Sequence, residues 1–200
     1  ILIGDTMVNY KKAMEAYIEK EIVVLKKLDL DELNLAMEAI TDAFHRDAKI
    51  YTMGNGGSAA TASHMVCDFN KGVSSVVGKK FRLQCLNDNV PSVMAIANDM
   101  SYDEVFSYQL QGVLEPGDLL VAISGSGNSK NIIKAVEYAK TTGCKVVGIT
   151  GYSGGKLMQM ADYNMHVAVD DMQIVEDIHM IFDHMMMRVF CDNLKNKIRG

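Results

Sequence analysis

Apolar residues recur at helical spacing from the start of the chain. Met7, Tyr10, Met14, Tyr17, Ile18, Ile22, Val24 and Leu25 stand among Lys and Glu, which predicts an amphipathic helix over 5–27. Asp29 or Asp31 can cap a second helix, where Leu33, Leu35, Ala36, Ile40, Ala43 and Phe44 repeat up to His45. The two form a helical hairpin. The period then changes. Residues 49–53 read as a short strand ending in Gly54-Asn55-Gly56-Gly57-Ser58, and a helix opens at Ser58 and runs to 69. Further along come a strand at 81–86, helices at 90–98 and 102–113, and a turn at 116–118.

The continuous apolar run 119–123 is a buried strand, and it too ends in a small-residue loop, Ser124-Gly125-Ser126-Gly127-Asn128-Ser129. A helix at 132–141, a strand at 145–150, a Gly/Ser loop at 151–155, an edge strand at 163–169 and a long helix at 173–197 complete the order. Strands that alternate with helices and are apolar on both faces make a parallel sheet covered on both sides. The fold class is therefore α/β, a three-layer αβα arrangement with a doubly wound parallel sheet. Residues 1–46 form the hairpin and 47–200 the α/β domain, together one structural unit.

Composition narrows the function. With 20 Lys and Arg against 25 Asp and Glu, the net charge of −5 argues against a protein that binds nucleic acid through its phosphate backbone. The apolar runs fall far short of the ~20 residues of a membrane span, and no signal segment opens the chain, which begins at Ile1. Cys67, Cys85, Cys144 and Cys191 show no CxxC spacing, as expected of reduced thiols in a cytoplasmic protein. The 15 methionines stand out, with Met7, Met14, Met37, Met172, Met180 and the run Met185-Met186-Met187 on the hairpin and the last helix. Three consecutive methionines cannot all face one core, so part of that surface is expected to meet another subunit.

The Gly/Ser loops suit an anion. At the carboxyl ends of parallel strands, unpaired N–H groups and helix dipoles attract phosphate. Gly54, Gly56 and Gly57 let the backbone approach a ligand, while Ser58, Ser124, Ser126 and Ser129 supply hydroxyls. Neither loop matches the dinucleotide fingerprint or the P-loop.

A second group can carry chemistry. His64 and Asp68 are four residues apart on one helix face, and Glu176 and His184 are eight apart on the last helix, with His179 and Asp183 between them. Eight residues turn roughly 80° about the axis, so both can face one cleft. His64, Asp68, Glu176 and His184 are a two-His, two-carboxylate set of a type that binds Zn²⁺ or performs acid/base chemistry. Spacing on two helices leaves open whether the four meet. His179 is read as supporting or structural, and His45 and His166 as surface or packing residues.

The run 54–60 followed by His64, then Asn98-Asp99, then 123–129, resembles the sugar isomerase (SIS) domain, and within it the phosphoheptose isomerase group. The likeness covers nearly the whole chain. It implies a flavodoxin-like SIS fold and aldose–ketose isomerisation of a sugar phosphate, most simply sedoheptulose 7-phosphate, through an enediol(ate). It also implies Asp68 and His184 as catalytic residues, a substrate site of Asn55, Gly56, Gly57, Ser58, Asn98, Asp99, Ser124, Ser126 and Ser129, and one Zn²⁺ held by His64, Asp68, Glu176 and His184. Members of the group resemble homotetramers with shared active sites. The chain departs from the family pattern in three places: Asp68 stands where the family has Glu, Glu176 where it has Gln, and Asn89 where Asp is usual. Two other readings are an isomerase of another anionic ketose and a non-catalytic relative that associates with a replication initiator. That relative lacks the carboxylate and final histidine present here as Asp68 and His184.

Overall fold

The computed structural model describes the backbone of residues 9–198 and the side chains of 9–193. The first helix, α1, spans Lys11–Leu25; the expected start at 5–8, with Met7, lies outside the described residues. Helix α2 (Leu30–His45) is capped by Asp29, whose carboxylate accepts from the N–H groups of Asp31 and Glu32 at 3.0 and 3.1 Å. It buries Leu33, Ala36, Ile40, Ala43 and Phe44, whereas α1 buries nothing. The bonds of α1 run instead to the start of the last helix, from Tyr17 to Asp177 and from Lys20 to Asp171.

Five parallel strands follow: β1 (Ile50–Met53), β2 (Leu83–Cys85), β3 (Leu119–Ser124), β4 (Lys145–Gly151) and β5 (Tyr163–Val167). Their order is β2-β1-β3-β4-β5, with Ile50 beside Leu119 and Met53 beside Ala122 across the central pair. This is the doubly wound, flavodoxin-like arrangement expected. Side chains alternate between its two faces. Leu119, Val121 and Ile123 pack with Leu33, Phe69, Ile178 and Phe182 on one side, and Leu120 and Ala122 with Phe106, Ile132 and Val136 on the other.

The helices on the first face are α2, α3 (Gly57–Cys67) and α9 (Met172–Ile198). On the second are α5 (Val90–Asp99), α6 (Ser107–Leu110) and α7 (Lys130–Thr141). Where one helix was expected over 102–113, there is a 3₁₀ turn at Tyr102–Glu104 and then the short α6. The Ser107 hydroxyl bonds back to the Glu104 carbonyl and carboxylate at 3.3 and 2.6 Å, offering the backbone an alternative to the helix.

The helix after β1 also runs further than its pattern suggests, through a π-helical segment (Asp68–Val73) into α4 (Ser74–Val77). Strand β2 is shorter than expected; Asn70 bonds Leu83 N–H and C=O, and Ser74 accepts from Phe81 N–H, at 2.8–3.0 Å. Between β4 and β5, where only a loop was expected, lies α8 (Gly155–Met160).

The methionine expectation fails in part. Met186 is buried, and Met185 and Met187 pack against the same core from its flanks, with the Met187 methyl over Gly72. Unbranched thioethers bend to reach one core from three successive positions. Met14 on α1 and Met172 at the start of α9 are exposed, as are Met94 and Met100. Among the described residues no helix is long and apolar enough to cross a membrane.

Candidate active site

Strand order reverses between β1 and β3, and the loops after these two strands open a crevice at their carboxyl ends. The first loop leads into α3, with Gly56 as its N-cap and Gly57 and Ser58 as its first residues; the second leads into α7, with Ser129 as its N-cap. Asn55, Ser58, Ser124, Ser126, Ser129 and Glu176 line a cavity of about 170 Å³ between them. The hydroxyls of Ser124 and Ser129 are 3.2 Å apart, and that of Ser126 accepts from the Asn128 N–H at 3.2 Å.

Asn55 is held by two residues the sequence had not singled out. Its amide pairs reciprocally with that of Asn131, both bonds at 2.9 Å, and its oxygen also accepts from the Tyr102 hydroxyl at 2.8 Å. Asn98 and Asp99 sit exposed at the end of α5, bonded to each other at 2.8 Å, and do not line this cavity. Asn89, the third departure, caps α5 by accepting from the Ser92 N–H at 3.2 Å.

The side chain of Glu176 enters the same cavity. Its carboxyl lies over the first turn of α3, so close to Gly57 that a Cβ there would stand 2.5 Å from all three carboxyl atoms. A carboxylate at a helix N-terminus is stabilised by the unpaired N–H groups and the dipole.

Further along the same two helices, His64 and His184 meet with their Nε2 atoms 3.2 Å apart and their rings nearly perpendicular, at 75°. Asp68, where α3 passes into the π-helical segment, places Oδ2 3.7 Å from His64 Nε2. Extra residues in a helical turn re-aim side chains, and such turns are frequent at functional sites. Asp183 completes the group: one ligand atom from each of His64, Asp68, Asp183 and His184 lies within 4.8 Å of the others. Burial, with the charge of Asp68 adding, pushes the Asp183 carboxyl up to about 7.

This donor set fits a metal ion. For ligands at 2.0–2.1 Å the edge of a tetrahedron is about 3.3 Å, close to the His64–His184 separation. The sequence reading brought three of the four residues of this group, His64, Asp68 and His184, to this point. Glu176 is outside the group, two turns earlier on α9, and Asp183 is inside it. A carboxylate within the apolar stretch 180–183, next to His184, was the available signal.

His179 is structural. It is 1% exposed and bonds the Thr150 carbonyl through Nε2 at 3.1 Å, while the Thr150 hydroxyl meets His166 Nδ1 at 2.9 Å. Burial pulls the His179 imidazole down to about 4. The unfolded chain takes up this proton near pH 6.5 and the folded chain only near 4, so stability present above pH 6.5 is lost as pH falls through that window. From pH 7 to 5 this group alone removes about 2 kcal/mol. His179→Gln, which keeps an N–H donor without the titration, should lose correspondingly less when urea unfolding is compared at the two pH values. An equal loss in both proteins would refute the assignment. His45 is exposed against Phe44, and His166 is half-buried.

The SIS domain family matches residues 9–151, and curated relatives extend the match over most of the chain. A protein from Thermoplasma acidophilum named "Probable phosphoheptose isomerase" is 38% identical over 170 residues, covering 85% of this chain and 93% of its own. The chain belongs to the SIS domain family, in its phosphoheptose isomerase group. The phosphoheptose isomerase of Aliarcobacter butzleri is 33% identical over 83% of this chain and 87% of its own. Among solved structures, the phosphoheptose isomerase of Neisseria gonorrhoeae superposes with a TM-score of 0.83 at 29% identity, covering 91% of this chain and 98% of that one. The family match begins within the N-terminal helical region, so α1 and α2 belong to the shared architecture.

Proposed function

We propose that the chain is a phosphoheptose isomerase, interconverting sedoheptulose 7-phosphate and D-glycero-D-manno-heptose 7-phosphate through an enediol(ate). The observation that carries this reading is the meeting of Asp68 and His184, an acid/base pair, beside a hydroxyl-lined cavity at the switch point of the sheet. Cavity and pair lie along the seam of α3 and α9. Six residues separate Ser58 from His64 and eight separate Glu176 from His184, which is roughly 9–12 Å of helix. An extended seven-carbon sugar phosphate reaches across that span; a triose phosphate does not. The cavity is smaller than the ~300 Å³ at which ligand pockets usually begin, so it suits the phosphoryl end and leaves the sugar to run toward the pair.

In this mechanism Ser58, Ser124, Ser126 and Ser129, with the N–H groups at Gly56 and Gly57, hold the phosphate. Asp68 takes a proton from C1 of the ketose and returns it to C2 of the aldose. His184 gives a proton to the oxygen on C2 and receives one from the oxygen on C1, so no atom is gained or lost. Asn98 and Asp99 contact sugar hydroxyls. His64, Asp68 and His184 would hold a divalent ion, Zn²⁺ by their chemistry, which when bound polarises the substrate carbonyl. A cytoplasmic setting fits the buried thiols of Cys85 and Cys144.

The working unit in this reading is a homotetramer with shared clefts. Tyr10, which precedes α1, and Met14 and Ile18 on it are 65%, 58% and 55% exposed, apolar surface that a second copy would cover. Incubation of the purified protein with sedoheptulose 7-phosphate should yield an aldose phosphate with its phosphate ester intact. No turnover, with or without added Zn²⁺, would overturn the reading.

A further inference from the structure

Asp183 has no part in the mechanism above, yet it is the most anomalous side chain in the described structure. It is fully buried, and neither carboxylate oxygen has a hydrogen-bond partner. Asp118, the other buried aspartate, shows the usual solution: it accepts from the backbone N–H groups of Lys49 and Glu115 at 3.0 and 3.1 Å. A buried carboxylate without donors costs several kcal/mol unless a positive charge compensates it. The groups within reach of Asp183 are themselves electron-pair donors, the imidazoles of His64 and His184 and the carboxylate of Asp68. Two imidazoles and two carboxylates whose ligand atoms converge within 4.8 Å match the donor set of one divalent cation.

Glu176 has a different counterpart. Its carboxyl rests on the first turn of α3, where only a glycine at position 57 leaves room for it. The helix N-terminus compensates that charge. Seven residues separate the two carboxylates, roughly 10 Å along α9, so one cannot stand in for the other without rearrangement.

We propose that Asp183 is the fourth protein ligand of the metal, with His64, Asp68 and His184, and that Glu176 is a cavity residue. The assignment rests on the metal-assisted isomerase reading but concerns this chain's own ligand set. With Glu176 released from the metal, its carboxylate becomes part of the surface that a phosphate must meet beside Ser58 and Ser124.

The test uses the metal alone. Apoprotein is titrated with Zn²⁺ against a chromophoric chelator and with Co²⁺ by visible absorption, for the wild type, Asp183→Asn and Glu176→Gln. The wild type should bind one ion per chain with the intense bands of a tetrahedral Co²⁺ site. Asp183→Asn should bind about a hundredfold more weakly and lose those bands, while Glu176→Gln stays within about threefold of the wild type.

The melting temperature of Asp183→Asn apoprotein, measured at pH 8, should equal or exceed that of the wild type, since an uncompensated buried charge has been removed. A merely structural Asp183 would give a lower one. Retained affinity in Asp183→Asn, or a comparable loss in Glu176→Gln, overturns the ligand assignment while leaving the isomerase reading intact. A wild-type protein that turns over the ketose but takes up neither ion overturns the assignment together with the metal site. One that binds the ion but shows no turnover overturns the isomerase reading alone.

Discussion

Asp68→Asn should yield a folded protein whose isomerisation of sedoheptulose 7-phosphate is slower by about 10³-fold. The substitution keeps the shape of the side chain and removes the group assigned to carry the proton between C1 and C2, a contribution typically worth 10²–10⁴. Asp68 is a partly buried residue at the junction of α3 with the π-helical segment, with His64 Nε2 3.7 Å from its Oδ2. Asp68→Glu restores the carboxylate the family pattern carries at this place and extends it by one methylene. Its kcat should fall by no more than about a hundredfold, the cost of moving a base by about 1 Å, and so stay above that of Asp68→Asn. Both are measured at saturating substrate with metal in excess, so that weakened metal binding is not mistaken for lost chemistry. An Asp68→Asn protein retaining more than a tenth of the wild-type rate would remove Asp68 from its role.

Gly127→Ala should be the most damaging single methyl group in the crevice. Gly127 has φ +64°, and a Cβ there would stand 2.0 Å from the carbonyl oxygen of Gly154, a backbone atom with nowhere to retreat. That close approach ties the loop after β3 to the loop after β4, and the Gly127 carbonyl accepts from the Leu157 N–H at 2.9 Å. The expected cost is about 3 kcal/mol, the left-handed backbone and the steric clash together. Because Ser126 and Ser129 flank the position, KM for the sugar phosphate should rise as well. Gly143→Ala is the control: its φ is +76° but the space around it is open, so only about 1 kcal/mol is expected and KM should not move. Equal losses in the two variants, by urea unfolding, would mean that the contact between the loops contributes nothing.

The legibility of the site followed the range of the interactions that build it. The two Gly/Ser loops were visible because glycine and serine are placed there by local needs, the turn after a parallel strand and the start of a helix. His64 with Asp68, and Glu176 with His184, were visible as pairs because helical spacing is a local rule. The same rule could not tell Glu176 from Asp183. Both lie within reach of a cleft on the same helix, and the choice between them was made by what α9 packs against. Gly57 opens the space that Glu176 enters, and the α3 face bearing His64 and Asp68 meets Asp183 and His184. Tyr102 and Asn131, which hold Asn55, lie 47 and 76 residues from it and carry no local mark of that role.

By itself, the sequence determined the element order, the parallel three-layer class, the location of the two Gly/Ser loops and the family. Each of these is written in periodicities and motifs a few residues long. Tertiary structure alone decided where the element boundaries shift, as in the continuation of α3 through the π-helical segment into α4. It also decided that Met185, Met186 and Met187 reach one core, and which carboxylate joins the two histidines. Those outcomes depend on burial and on partners distant in the chain. A buried carboxylate such as Asp183 becomes conspicuous only when its surroundings show that none of the described residues donates to it.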